Sequence, residues 1–180
     1  MQRLILIIVA CLALFVGCGD DSSTTETGGG GSTTAAQSKR SKEEAAVKKE
    51  EEKAAEEVAA LPKPKIPSGR LPKKLVIVDR KTGSGATAKA GDEVSVRYVG
   101  ILYKSKELFD ANWNGDEPFT FELGAGEVIK GWDQGVQGMK AGGQRELFIP
   151  PSLAYGPEGI YPSIPPNSTL AFLVELLKVK

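Results

Sequence analysis

The segment Glu93-Val94-Ser95-Val96-Arg97-Tyr98-Val99 sets Val94, Val96 and Tyr98 against Glu93, Ser95 and Arg97. Successive side chains take opposite faces only in an extended chain, so the alternation predicts a β-strand with one buried face. Pro118 to Leu123 repeats it, with Phe119, Phe121 and Leu123 on one side and Thr120 and Glu122 on the other. Leu75–Asp79, Leu108–Asp110, Glu146–Ile149 and Thr169–Val179 supply further short apolar runs between Gly- and Pro-rich turns. A helical period fits one stretch of this region, about Ile129 to Met139. Glycines interrupt it, Gly131 and Gly135 among them, and Gly142-Gly143 is expected to end it. The predicted class is α+β: about five to six antiparallel strands in a curved sheet wrapped on one short α-helix, over residues 71–180.

Much chemistry is excluded by composition. The 180 residues contain no histidine, so a Ser-His-Asp triad, a Cys-His pair and a histidine metal site are impossible. The two cysteines, Cys11 and Cys18, both fall in the first 20 residues, and no thiolate is available to the body of the chain. Formal net charge is zero, which speaks against nucleic acid as a partner. Gly83-Ser84-Gly85 follows a strand, but Gly91-Asp92 turns the chain where a dinucleotide fold would open a helix. Asp110 and Glu127 lie beside aromatic clusters rather than in the polar cleft a glycosidase pair needs. No cofactor or metal is called for.

The first 18 residues read as an address. Arg3 precedes an apolar run from Leu4 to Val16, 13 residues long and too short to span a bilayer. Phe15-Val16-Gly17-Cys18 then meets Gly19-Asp20-Asp21, which resembles a bacterial lipobox. Cys18 is preferred over Cys11, which would leave a seven-residue core and an apolar mature N-terminus. The expectation is a signal peptide ending at a lipidated Cys18, and an extracytoplasmic protein anchored to the cell membrane of a bacterium. Residues 19–70 read as a tether. Asp20–Gln37 is a Ser/Thr/Gly coil. Ser41–Leu61 is an Ala/Glu/Lys helix opened by a Ser41/Glu44 capping box and stopped by Pro62. Glu51 falls on its apolar seam, so a solvated spacer fits better than a coiled coil. Pro62, Pro64 and Pro67 form a stiff hinge.

Taken singly, Tyr98, Phe109, Phe119 and Phe172 read as core, Phe121 and Leu123 as plain core, and Asp110 as a turn residue. Joint order changes that. Val96-Arg97-Tyr98-Val99-Gly100, Leu108-Phe109-Asp110, Pro118–Gly124, Glu127-Val128-Ile129-Lys130-Gly131-Trp132 through Val136, Leu153-Ala154-Tyr155-Gly156, Ile164-Pro165-Pro166-Asn167 and Thr169–Phe172 resemble, in order and spacing, the FKBP family of peptidyl-prolyl isomerases that bind tacrolimus and rapamycin. The match covers about residues 75–179. The resemblance implies a shallow apolar pocket between sheet and helix. Its catalytic residues would be Tyr98, Phe109, Asp110, Trp132, Tyr155 and Phe172, with Trp132 as floor. Phe119, Glu127, Val128, Ile129 and Ile164 would contact substrate. The Ile129 N–H and Tyr155 hydroxyl would donate to substrate carbonyls. The partners implied are Pro-containing polypeptides and macrolides, with the protein a monomer. A binding module that holds Pro-containing segments without catalysis is the alternative on the same residues.

Three segments depart from the family pattern. Ile101–Glu107 is about one residue longer than the common form and lacks its Asp-Gly turn. Ala111–Glu117 has no Lys or Arg to pair with Asp110, which would then lean on Tyr98. Ile160 and Tyr161 stand in a flap that is often polar or histidine-bearing.

Overall fold

The computed structural model describes residues 56–180. The leader with Cys18, the coil and most of the 41–61 helix lie outside the described residues. Residues 56–60 are helical, and the chain leaves that helix at Leu61, just ahead of Pro62.

Six strands form one antiparallel sheet, as the alternation predicts: β1 (Val76–Lys81), β2 (Glu93–Leu102), β3 (Leu108–Ala111), β4 (Phe119–Glu122), β5 (Gln144–Ile149) and β6 (Leu170–Val179). The order is β1-β5-β6-β2-β3, and β4 also pairs with β2. Two short strands therefore share one edge of β2. β4 runs along Glu93–Val96 and β3 along Val99–Ile101. Between them lies the gap at Arg97–Tyr98. Asn112 closes it: its side-chain oxygen accepts the Tyr98 N–H at 2.8 Å and its own N–H donates to the Tyr98 carbonyl at 3.0 Å. The backbone at Tyr98 is thus satisfied without a strand partner on that side.

Helix α1 (Lys130–Val136) packs on the inner face of the sheet. It is shorter than the Ile129–Met139 expectation. Gly138, at φ 82°, turns the chain into Met139, whose N–H reaches the Val136 carbonyl at 3.0 Å. Gly142-Gly143 lies in the next turn instead and opens β5. The two helix glycines are a packing device. A Cβ on Gly131 would fall 2.4 Å from Ile149 Cγ2, and one on Gly135 would fall 2.6 Å from Leu147 Cδ2. One turn apart, they let α1 lie directly on β5.

The single buried face predicted for β2 does not hold along the strand: Ser95, on the other face, is already buried. Val94, Val96 and Tyr98 join the inner core with Phe121, Trp132, Leu147, Ile149 and Phe172. From Val99 onward both faces are covered. Val99, Ile101, Tyr103, Phe148 and Ala171 form a second cluster on the outer face. Val99, Ile101 and Phe148 each contribute about 1.5–3 kcal/mol when buried.

The cover comes from the Pro-rich segment. Leu61 and Ile66 pack on this outer cluster, Pro64 is buried, and Tyr103 donates its hydroxyl to the Pro67 carbonyl at 3.2 Å. Glu146, 2% exposed on the outer face of β5, accepts hydrogen bonds from the Lys65 N–H and the Arg80 guanidinium. A buried carboxylate needs such donors, because desolvating it unpaired costs several kcal/mol. The segment expected as a hinge is a strap laid across the sheet.

Candidate functional site

On the inner face, Trp132 of α1 lies at the centre of an aromatic basin. Tyr98, Phe119 and Phe172 stand nearly perpendicular to the indole, at interplanar angles of 83°, 81° and 84° and centroid distances of 5.1, 6.1 and 5.3 Å. Rings held edge-on around a plane make walls around a floor, a geometry the aromatic quadrupole favours. Phe109 extends the wall, meeting Phe172 at 5.5 Å and 90°. Phe119 is 40% exposed and forms the rim. Ile164 is buried in the cluster that holds Trp132, and Val128, Ile129 and Tyr155 are half-buried against it. The expected wall residues are therefore gathered in one place.

Phe121, assigned by sequence to plain core, also belongs to the floor. It stacks on Phe119 at 5.6 Å and tilts against Trp132 at 5.8 Å. The strand alternation put it inside, yet gave no sign that the inside here is the underside of the basin. Gly100 was missed as well. It pairs with Phe172 across the sheet. A Cβ there would lie 2.8 Å from both Phe109 Cζ and Phe172 Cε1. The missing side chain is the space those two rings occupy. The indole Nε1–H of Trp132 is buried and has no hydrogen-bond partner among the described residues.

Asp110 rises from β3 at the exposed edge of the basin. The Tyr98 hydroxyl donates to its Oδ2 at 2.7 Å. Among the described residues no Lys or Arg bridges Asp110, so the tyrosine is its partner, as the missing basic residue led one to expect. Burial first, then this hydrogen bond and the aspartate charge, push the Tyr98 hydroxyl well above its ordinary range. Burial and the Asp110 charge likewise raise Tyr155. Both phenols stay protonated and remain donors. The Ile129 N–H, at the head of α1, has no backbone partner among the described residues and is free to donate.

Glu127 is turned another way. Its Oε2 accepts the Glu122 N–H at 2.9 Å, which pins the turn between β4 and α1. Asp133 does similar work on the Gly124 N–H at 2.9 Å. In the lengthened loop, Lys106 takes the left-handed conformation, φ 63°, that a glycine adopts without cost. The flap closes as a tight hairpin in which Ile160 and Ile164 exchange hydrogen bonds of 2.8 and 2.7 Å, leaving Tyr161 96% exposed at its tip.

Among the described residues the basin holds neither a histidine nor a cysteine thiol. It offers an apolar floor and walls, one carboxylate tied to a phenol, and donors in the Ile129 N–H and the Tyr155 hydroxyl. That inventory suits a reaction in which no proton moves and no covalent bond forms.

A family model described as FKBP-type peptidyl-prolyl cis-trans isomerase matches residues 84–177. Among named relatives, an FK506-binding protein of Streptomyces anulatus is 50% identical over 123 residues, which is 67% of this chain and 99% of the relative. FK506-binding protein 4 of Rhizopus delemar is 55% identical over 111 residues, or 62% of this chain and 28% of the relative. FK506-binding protein 3 of Yarrowia lipolytica is 50% identical over 119 residues, 66% of this chain and 28% of the relative. The chain thus spans nearly all of the bacterial relative and little more than a quarter of the two fungal ones. Fold, basin and these matches agree: the chain belongs to the FKBP-type peptidyl-prolyl cis-trans isomerases and is an enzyme of that type.

Proposed function

We propose that this isomerase works outside the cytoplasm, held at the membrane by a lipid on Cys18, and acts on Pro-containing polypeptides as they leave the translocation machinery. The observation that carries the substrate reading is Trp132 walled by Tyr98, Phe119 and Phe172. Rotation about an Xaa–Pro bond meets a barrier of about 18–20 kcal/mol set by amide resonance. The planar amide is charge-separated, and the twisted amide is less so. An apolar basin therefore disfavours the planar state relative to the twisted one, and every 1.4 kcal/mol or so of that difference gives about tenfold in rate. Proline sits over Trp132. The Ile129 N–H and the Tyr155 hydroxyl hold the flanking carbonyls and fix the axis of rotation. Asp110 with Tyr98 sets the field at the rim. The same basin takes tacrolimus and rapamycin, a reading supported by the names of the relatives.

The test uses the full chain in neutral detergent. Cis-to-trans relaxation of a Leu-Pro or Phe-Pro peptide is followed with and without rapamycin. Acceleration that rapamycin abolishes is expected. Acceleration that rapamycin leaves intact would remove the macrolide from the basin. A folded chain without acceleration would leave a module that only holds Pro-containing segments. For the anchor, a fatty-acid label is expected on the wild-type chain and not on Cys18→Ser; equal labelling of both would refute the assignment.

A further inference from the structure

The basic side chains of this neutral protein are unevenly placed. Residues 61–81 hold seven Lys/Arg and a single acid, Asp79, whereas residues 91–180 hold eight Lys/Arg against twelve Asp/Glu. Arg80 is taken up by Glu146, and Asp79 by Arg145. Lys63, Lys65, Arg70, Lys73 and Lys74 are exposed and make no ion pair among the described residues. Between them Leu71 stands 52% exposed. The run lies first along the outer face, where Leu61 and Ile66 seat the strap, and then enters β1. Val76 and Val78 of β1 pair with Phe148 and Glu146, so they too look outward, each 39% exposed.

We propose that this outer surface docks on anionic phospholipid headgroups. Cations interleaved with exposed aliphatic side chains fit a lipid interface, where charge meets the headgroups and Leu71 enters the acyl boundary. The run has no aromatic residue on which bases could stack, which disfavours single-stranded nucleic acid. The strap is held to the sheet by Glu146 and by the outer cluster, so the cations are presented on a fixed surface. The aromatic basin opens on the opposite face, and docking leaves it pointing away from the bilayer. Docking stands independently of the lipid on Cys18, although an anchor would keep the surface within reach.

The test is hydrogen exchange at amides 63–81 of the full chain, in neutral detergent, in phosphatidylcholine vesicles, and in vesicles with about one-third phosphatidylglycerol. Each cation near such a surface strengthens the hold by about fivefold. Exchange is expected to slow by about tenfold or more in the anionic vesicles alone. The slowing should vanish near roughly 0.5 M salt, where screening is short-ranged. It should also vanish when Lys63, Lys65, Arg70, Lys73 and Lys74 are all replaced by Gln, a variant that keeps full peptide isomerisation because none of the five touches the basin. Equal exchange in both vesicle types would overturn the proposal. So would slowing already present in detergent relative to the five-Gln variant, which would mean that the glutamates between residues 43 and 57 cover the cations. Tighter retention on a DNA duplex than on anionic vesicles would overturn it in favour of nucleic acid.

Discussion

The Tyr98 hydroxyl donates to Asp110 Oδ2 at 2.7 Å, and this bond ties the wall of the basin to a carboxylate at its rim. The two groups act as a unit, so removing either should cost nearly what removing both costs. Tyr98→Phe, Asp110→Asn and the double variant are expected to lose similar kcat/KM on a short Xaa-Pro peptide. The double-mutant cycle should give a coupling of about 1 kcal/mol. Additive losses would show that the two residues work separately.

Acidity follows from the same pair. Tyr98 and Tyr155 are both raised above the free tyrosine value of 10.0. A group that holds its proton more tightly in the folded chain stabilises the fold fully below the unfolded value, and that stabilisation fades as pH rises through the folded value. Urea midpoints should therefore stay level from about pH 7 to 9 and fall above about pH 10. The fall should be shallower in Tyr98→Phe. The rate should be level over the same neutral range, with no step near pH 6.5, because the chain has no histidine.

At Gly100 the expected result separates packing from chemistry. Ala at this position meets Phe109 and Phe172 at 2.8 Å and drives their rings into the basin. The variant should lose about 1–3 kcal/mol of stability. It should also raise KM for peptide and weaken rapamycin binding, measured on the folded protein. A loss of stability with unchanged KM would mean that the rings give way outward.

The strap predicts the outcome of trimming. A chain starting at residue 71 loses Leu61, Pro64, Ile66 and one of the two donors to Glu146. Relative to residues 56–180 it should be less stable by about 2–4 kcal/mol, from exposed outer-cluster surface and an under-paired buried carboxylate. Thermal melting of the two chains checks this. Equal melting would place the strap outside the cooperative unit.

The sequence carries the inner half of this molecule plainly. The alternation of Val94, Val96 and Tyr98 and of Phe119 and Phe121 is local, and it sets which side chains face the helix. The order of the aromatic segments likewise pointed to Trp132 and its walls. What escaped was non-local. Lys65 meets Glu146 across 81 positions, and no local pattern marks Glu146, flanked by Arg145 and Leu147, as buried. Gly131 and Gly135 looked like flaws in a helix because the strand they press against is 18 and 12 positions away in Ile149 and Leu147. Phe121 reads as core under any rule of alternation. Only the placement of Trp132 beside it turns it into part of the site.

Strand β5 is gripped on both sides. Glu146 and Phe148 hold the strap on one face, and Leu147 and Ile149 press against the Trp132 helix on the other. Tension arriving from the N-terminal side meets the strap first, and there it works against a few contacts in sequence. After the strap comes β1, an edge strand paired to β5 alone, which would unzip one bond at a time. The central β6 and β2 bear load only after both have let go. The strap and β1 thus make a mechanical fuse, and a tug of moderate strength is spent there before it reaches the rings that turn proline.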